Sequence, residues 1–297
     1  MPTNFASSTT LSNLVIPAYD RLVTLALRET PTFRTFVDRR PVNVTNPGDT
    51  VYFTWYADMA TTTTPLNETV APDSVAVANP TRTSVTVNEY GTWIPKSLRI
   101  QRTAFTQVDT EIAELLARQQ GDTLDALVKA KLDAGTNVAG SASQVFGGSF
   151  VRQLRNQMRR KMVAPRTGTD YITHIHPDQT YDLMSEVGTM GWQGPHVYGG
   201  DTAAIYAGEV GRLGGIRFIE NTRCTVSGTG AATTYKSYTL GQQALVEAVV
   251  VEPHTVIGPQ TDPLNRLAPI GWHAFLGWSL FRPEALIVAT GKSSLNG

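Results

Sequence analysis

The residues best placed to do chemistry are His174 and His176, separated by Ile175. Alternate side chains of an extended strand share one face, so two imidazoles at this spacing begin a zinc-type site that Asp178, His196, His254 or His273 would complete. A metal held in that way activates water for hydrolysis. Hydrolases of this design ride on barrels of eight strand–helix units, and this sequence offers two or three convincing helices. The histidines are therefore read as a satisfied or surface pair at a strand end, and a His-dependent metal hydrolase stands as the enzyme alternative.

Other chemical motifs are incomplete. Gly291-Lys292-Ser293-Ser294 matches the second half of a phosphate loop, but the first glycine of that loop would fall at Leu286 and no helix follows. The glycines between Gly208 and Gly215 lack dinucleotide spacing and read as a loop and turn. The single Cys224 admits no intrachain disulfide, zinc knuckle or redox pair, and no base is evident beside it. No serine-nucleophile elbow or paired-carboxylate motif stands out. The sequence thus assigns no catalytic residue, no metal and no cofactor, and the expectation is a protein that is not an enzyme.

Two non-catalytic features remain. A helix from Ser149 to Met162 places Phe150, Val151, Leu154, Met158 and Met162 on one side and Arg152, Arg155 and Arg159 on another, joined by Arg160 and Lys161. Either a solvated or intersubunit charged face, or contact with nucleic acid or an acidic partner, fits such a cluster. The second feature is a long hairpin. Val51, Phe53 and Trp55 alternate with Tyr52, Thr54 and Tyr56, and Val85 and Val87 alternate with Thr86 and Asn88. Between them, Ala57 to Thr81 holds four consecutive threonines and prolines at 65, 72 and 80, the composition of an irregular tip. A two-stranded ribbon is marginal alone in water. Ordering such a segment costs about 1–2 kcal/mol per residue, which calls for burial on the scale of an obligate interface. Trp55, Tyr56, Pro65, Leu66, Val70, Val75 and Val77 are the candidates for intersubunit contact.

The elements around these features follow from periodicity. Residues 1–40 form a loose arm with an apolar stripe through Leu14, Val15, Ala18, Leu22, Leu25 and Ala26. The clearest helix runs from Thr106 to Ala134, opened by a capping-box variant at Thr106 and Asp109, with Gly121 as a kink and Gly135 as its stop. At 1.5 Å per residue it is a beam of roughly 40 Å. After a Gly/Ser-rich stretch from Gly135 to Gly148 and the basic helix, residues 165–255 alternate short strands with one helix, a compact α+β pattern. Trp272, Ala274, Leu276, Trp278 and Leu280 then alternate in a strand, and a last apolar strand covers Ala285 to Ala289. These closing strands are expected to pair near residues 90–105.

The chain has 297 residues with 25 basic and 25 acidic groups, enough for one large or two modest domains. Balanced charge argues against a protein that binds mainly by wrapping polyphosphate, so nucleic-acid contact should be local. No apolar run approaches the roughly 20 residues of a membrane span, and the N-terminal stretch lacks the pattern of a secretion signal. The sequons at Asn43 and Asn67 are accordingly expected to carry no sugar.

Taken in order, arm, long hairpin, beam helix, α+β unit and returning strands, the chain resembles the HK97-type major capsid proteins of tailed bacteriophages. The likeness rests on Asn46-Pro47-Gly48-Asp49-Thr50-Val51 opening the hairpin, Tyr171 to Asp178 before a helix, Gly211-Arg212-Leu213-Gly214-Gly215-Ile216-Arg217-Phe218, and Gly271 to Glu284 closing on Leu280-Phe281-Arg282-Pro283-Glu284. The resemblance implies an N-arm (1–40), an E-loop hairpin with flanking strands (41–100), a peripheral domain (101–164) with a spine helix at 106–134, an axial domain (165–255), and returning peripheral strands (256–297). It further implies a shell of hexamers and pentamers around packaged double-stranded DNA, located in the virion and assembled in the host cytoplasm. Scaffolding, portal and decoration proteins are the other implied partners, with packaged DNA met by nonspecific contact and no membrane. Some members join subunits through a lysine–asparagine bond. With no lysine between residues 41 and 95, noncovalent assembly is the expectation here. An encapsulin-like nanocompartment shell is the alternative that shares the fold.

Overall fold

The structure is a computed structural model that describes residues 31–42, 48–103, 108–186, 209–259, 262–264 and 266–296. The arm stripe from Leu14 to Ala26, the start of the hairpin motif at Asn46-Pro47, the capping sequence at Thr106 and His196 lie outside the described residues.

A 3-10 turn at Phe33–Phe36 leads into β1 (Asp38–Pro41), the ribbon strands β2 (Thr50–Trp55) and β3 (Thr81–Thr86), and β4 (Asn88–Ser97). Helices α1 (Leu98–Thr103) and α2 (Val108–Asp133) follow, then β5 (Val138–Val145) and α3 (Gly148–Arg160). Next come β6 (Tyr171–Ile175), α4 (Pro177–Ser185), β7 (Glu209–Leu213), β8 (Ile216–Glu220) and the short β9 (Val226–Ser227). The chain closes through β10 (Thr234–Leu240), β11 (Leu245–Ile257), β12 (Leu267–Leu280) and β13 (Leu286–Lys292). Among the described residues, no helix is long and apolar enough to cross a membrane.

Among the described residues the strands make three sheets. One has the order β1-β11-β12-β4, another β5-β13-β10-β6-β8-β7 with β9 beside β10, and the third is the ribbon β2-β3. In the first sheet Trp272, Ala274, Leu276 and Trp278 of β12 are buried on the side of α2, whose Gln119 Oε1 accepts from Trp272 Nε1 at 3.4 Å. The opposite side holds a second, smaller core of Val85, Val87, Val246, Ala248 and Phe281, with Val51, Phe53 and Trp55 of the ribbon packed on it. A side chain at Gly277 would stand 2.1 Å from Thr86 O, so the ribbon root lies with its backbone directly on this sheet.

Helix α2 buries Leu116, Leu124, Val128 and Leu132, as its i+4 repeat dictates. It runs unbroken through Gly121, where the missing side chain admits Pro31; the expected role as a kink is corrected to a close-approach role. Gly135 ends the helix by packing, because a Cβ there would meet Leu286 and Val288 at 2.7 and 2.8 Å. At the same end Asp133 accepts from Tyr238 Oη and Thr225 Oγ1, both at 2.7 Å, tying the helix to the seven-stranded sheet.

Pairing carries the chain back and forth between the sheets. Strand β11, inside 165–255, pairs with β12 from Leu245↔Leu280 to Ile257↔Ile270. Strand β13, beyond 256, pairs instead with β10 and β5, not near residues 90–105. The expected pairing near 90–105 holds for β12, which runs against β4 from Leu267↔Ser97 to Leu276↔Asn88. The Gly/Ser-rich stretch is also no mere linker, since β5 forms there and joins the sheet of β6. Composition does not shift where the chain crosses between sheets, so the crossings leave no mark in the sequence.

Candidate functional site

The histidine pair separates at the end of β6. His174 lies in the fully buried strand, with Phe33 and Phe36 rings 4.8 and 5.2 Å from its own. His176 lies beyond the strand and caps α4, its Nδ1 accepting from Asp178 N at 3.2 Å and its ring 4.7 Å from Tyr235. His254 and His273 face each other on the other sheet at 5.8 Å. Among the described residues, no group of three His, Cys, Asp or Glu side chains is placed to hold a metal. The shared strand face expected for the two imidazoles is thus corrected: one packs in the core and the other ends a strand.

Neither ring nitrogen of His174 has a hydrogen-bond partner among the described residues. Burial, and secondarily the Arg166 charge, push its pKa down from 6.5 to about 3. The folded chain therefore keeps this ring neutral while the unfolded chain takes up a proton near pH 6.5. Stability attached to this group is complete above that pH and falls by about 1.4 kcal/mol per unit as the pH drops toward 3. Denaturant midpoints measured from pH 7 to 4 should show this one-proton slope as a difference between the parent chain and His174→Leu.

The ribbon carries the larger exposed feature. Its register runs from Thr50↔Thr86 to Trp55↔Thr81, and beyond Trp55 the chain from Tyr56 to Asn79 is exposed at every residue without regular structure. Tyr56, Leu66, Val70, Val75 and Val77 are each between 62% and 73% exposed, and Pro65 is exposed with them. Trp55, also a candidate for intersubunit contact, sits at the ribbon root. It packs half-buried on the second core with the Arg282 guanidinium 5.7 Å over its ring, while Arg40 stacks on Phe53 and Phe281 at 5.3 and 4.4 Å. Strand parity already held that signal, since Trp55 shares the inward parity of Val51 and Phe53. Met59, exposed beside the candidates, was missed because nothing in its local pattern marks it.

Helix α3 is strongly amphipathic. Phe150, Val151, Leu154 and Met158 are buried against the seven-stranded sheet, and Arg152, Arg155, Arg159, Arg160 and Lys161 are exposed on the other side. The Glu186 carboxylate accepts from Gly148 N at the helix start. Arg155 lies across the β7–β8 turn, its Nε 3.0 Å from where a Gly215 side chain would begin. Lys161 Nζ donates to Asn137 Oδ1 at 2.5 Å. Met162, corrected from the apolar side of the helix, is 85% exposed at a left-handed φ of 51° just past the helix end.

No protein-family model and no curated protein matches the sequence. Solved structures do match over nearly the whole chain. The head structure of Helicobacter pylori bacteriophage KHP40 is 13% identical, with 99% of each chain covered and a TM-score of 0.73. The capsid structure of cyanophage P-SCSP1u is 13% identical over 99% of this chain and 97% of that one, with a TM-score of 0.72. The capsid of cyanophage Pam1 is 11% identical over 99% and 100%, with a TM-score of 0.71. The chain has the HK97-like capsid fold. The fold class expected from the sequence, α+β with a long hairpin and a spine helix, therefore holds. In this capsid fold a further apolar groove of about 580 Å³ opens on the ribbon-bearing face of the first sheet, floored by Gly91 and Gly271 and walled by Trp93 and Pro269. Trp93 is 63% exposed and was not singled out from the sequence, although its parity with Gly91 and Pro95 points outward.

Proposed function

We propose that this chain is a major capsid protein of a tailed phage, a structural subunit that assembles with copies of itself into hexamers and pentamers enclosing double-stranded DNA. The observation that carries the proposal is a segment exposed along its whole length with Tyr56, Leu66, Val70, Val75 and Val77 open to solvent, on a ribbon whose root is fixed to the body. Exposure of that extent is unstable in isolation and is relieved by burial against another copy. The likeness to phage head and capsid structures over nearly the full chain supports the same conclusion. On this proposal α2 is the spine helix, β2–β3 and the segment between them the E-loop, the first sheet the peripheral domain and the seven-stranded sheet the axial domain. The subunit resides in the virion after assembly in the host cytoplasm, with scaffolding, portal and decoration proteins as partners and DNA met without sequence preference. Nothing in the arrangement of His174 and His176 favours hydrolysis.

Negative-stain microscopy of the purified chain, with and without the products of its genomic neighbours, tests the proposal. Closed polyhedral particles are expected. A chain that stays a dilute monomer under both conditions would overturn it.

A further inference from the structure

The hairpin tip and the face of helix α3 around Arg155, Arg159 and Arg160 carry opposite charges. Between residues 56 and 80 the sequence holds Asp58, Glu68 and Asp73 and no Lys, Arg or His. Among the described residues none of these three carboxylates forms an ion pair, and neither does Arg155, Arg159 or Arg160. Among the described residues Lys161 donates to the neutral Asn137 side chain and forms no ion pair. The helix face is edged by apolar surface, since Met162 is 85% and Val138 62% exposed, close to the Lys161–Asn137 contact. A segment that alternates acids with exposed Leu66, Val70 and Val75 matches such a face in both charge and polarity.

We infer that the acidic, apolar hairpin tip of one copy seats on the basic face of α3 in a neighbouring copy. This rests on the shell function proposed above and names the surface that the tip grips. Twelve residues out from Trp55 reach up to about 40 Å at roughly 3.3 Å each, enough to cross onto an adjacent subunit. Double-stranded DNA is the weaker occupant. It needs a broad excess of cations, whereas this chain has 25 acidic groups against 25 basic ones and the face includes an exposed methionine. Each exposed ion pair is worth little alone, but a closed shell repeats the contact once per subunit, so small pairwise losses multiply into loss of assembly.

Charge exchange tests the inference. The helix set is Arg155→Glu, Arg159→Glu and Arg160→Glu; the tip set is Asp58→Lys, Glu68→Lys and Asp73→Lys. Each set alone should lower the yield of sedimenting shells at least about tenfold, and the two together should restore it to within about threefold of the parent. Circular dichroism and melting establish that each variant folds. Carbodiimide treatment of parent shells needs no variant, and should join Lys161 of one copy to Asp58, Glu68 or Asp73 of another. Full shell yield from the helix set overturns the inference, and loss of DNA retention in those shells would give the face to nucleic acid instead. Absence of recovery in the combined variant overturns it too, as does a crosslink map lacking these pairs while other subunit contacts appear. A parent chain that forms no shells defeats the proposed function itself, whereas parent shells without the exchange pattern defeat only this inference.

Discussion

Removing residues 60–79 should leave a subunit that folds, melts within a few degrees of the parent chain and forms no shells. Every removed residue is exposed, so no core contact goes with them. The ribbon register closes at Trp55↔Thr81, outside the deletion, and the root stays held by Val85, Val87 and Phe281. Residues 56–80 number 25, and losing 20 of them leaves a five-residue connection. Loop-closure entropy then favours the shortened ribbon by about 1.4 kcal/mol, a small gain in stability. Assembly behaves in the opposite way, because the residues that another copy would bury are gone. Thermal melting with sedimentation and microscopy checks both halves. Parent-like shells from the deletion would remove the tip from the assembly account.

Arg34→Ala should have the largest effect on the fold itself. Glu247 is fully buried in the first sheet, and Arg34 Nε donates to its Oε1 at 2.9 Å while Arg34 Nη2 lies 2.8 Å from the same oxygen. The remaining cation, Arg39, is 3.4 Å away and half exposed. Stripping a partner from a buried carboxylate costs about 3–5 kcal/mol, or roughly 10 °C in melting temperature for a chain of this size. Arg34 N also donates to Asp125 Oδ1 at 3.2 Å, an acid whose pKa burial raises, so the same turn pins the end of the arm to α2. The paired replacement Arg34→Met with Glu247→Leu should recover most of the loss, since an apolar pair leaves no charge unmatched. A melting temperature unchanged in Arg34→Ala would show that the ion pair does not hold the arm.

What the sequence disclosed was governed by periodicity. The four-residue repeat from Leu116 to Leu132 and the two-residue alternation of Val51, Phe53 and Trp55 each encode one buried face, and both elements form as read. Strand β5 was hidden because its one glycine serves packing: Gly140, at φ +81°, lets Thr290 O and the Phe150 ring approach to 2.3 and 2.9 Å of where a side chain would stand. Such a strand has the composition of a linker. The exchange of β11 and β13 between sheets was equally silent, because both are apolar runs whose neighbours are set by long-range pairing. The split between His174 and His176 turned on one residue, the point where β6 yields to the cap of α4. The exposure of Tyr56, Leu66, Val70, Val75 and Val77 was legible because apolar residues scattered among prolines and threonines cannot build a core of their own.

Hydrogen exchange of residues 56–80, compared between the dilute subunit and purified shells, tests the central claim most directly. Those amides should exchange at the rate of an unfolded chain in the subunit and be protected at least about a hundredfold in the shell. Equal protection of those amides in the dilute monomer would contradict it, because the segment would then be ordered by its own chain.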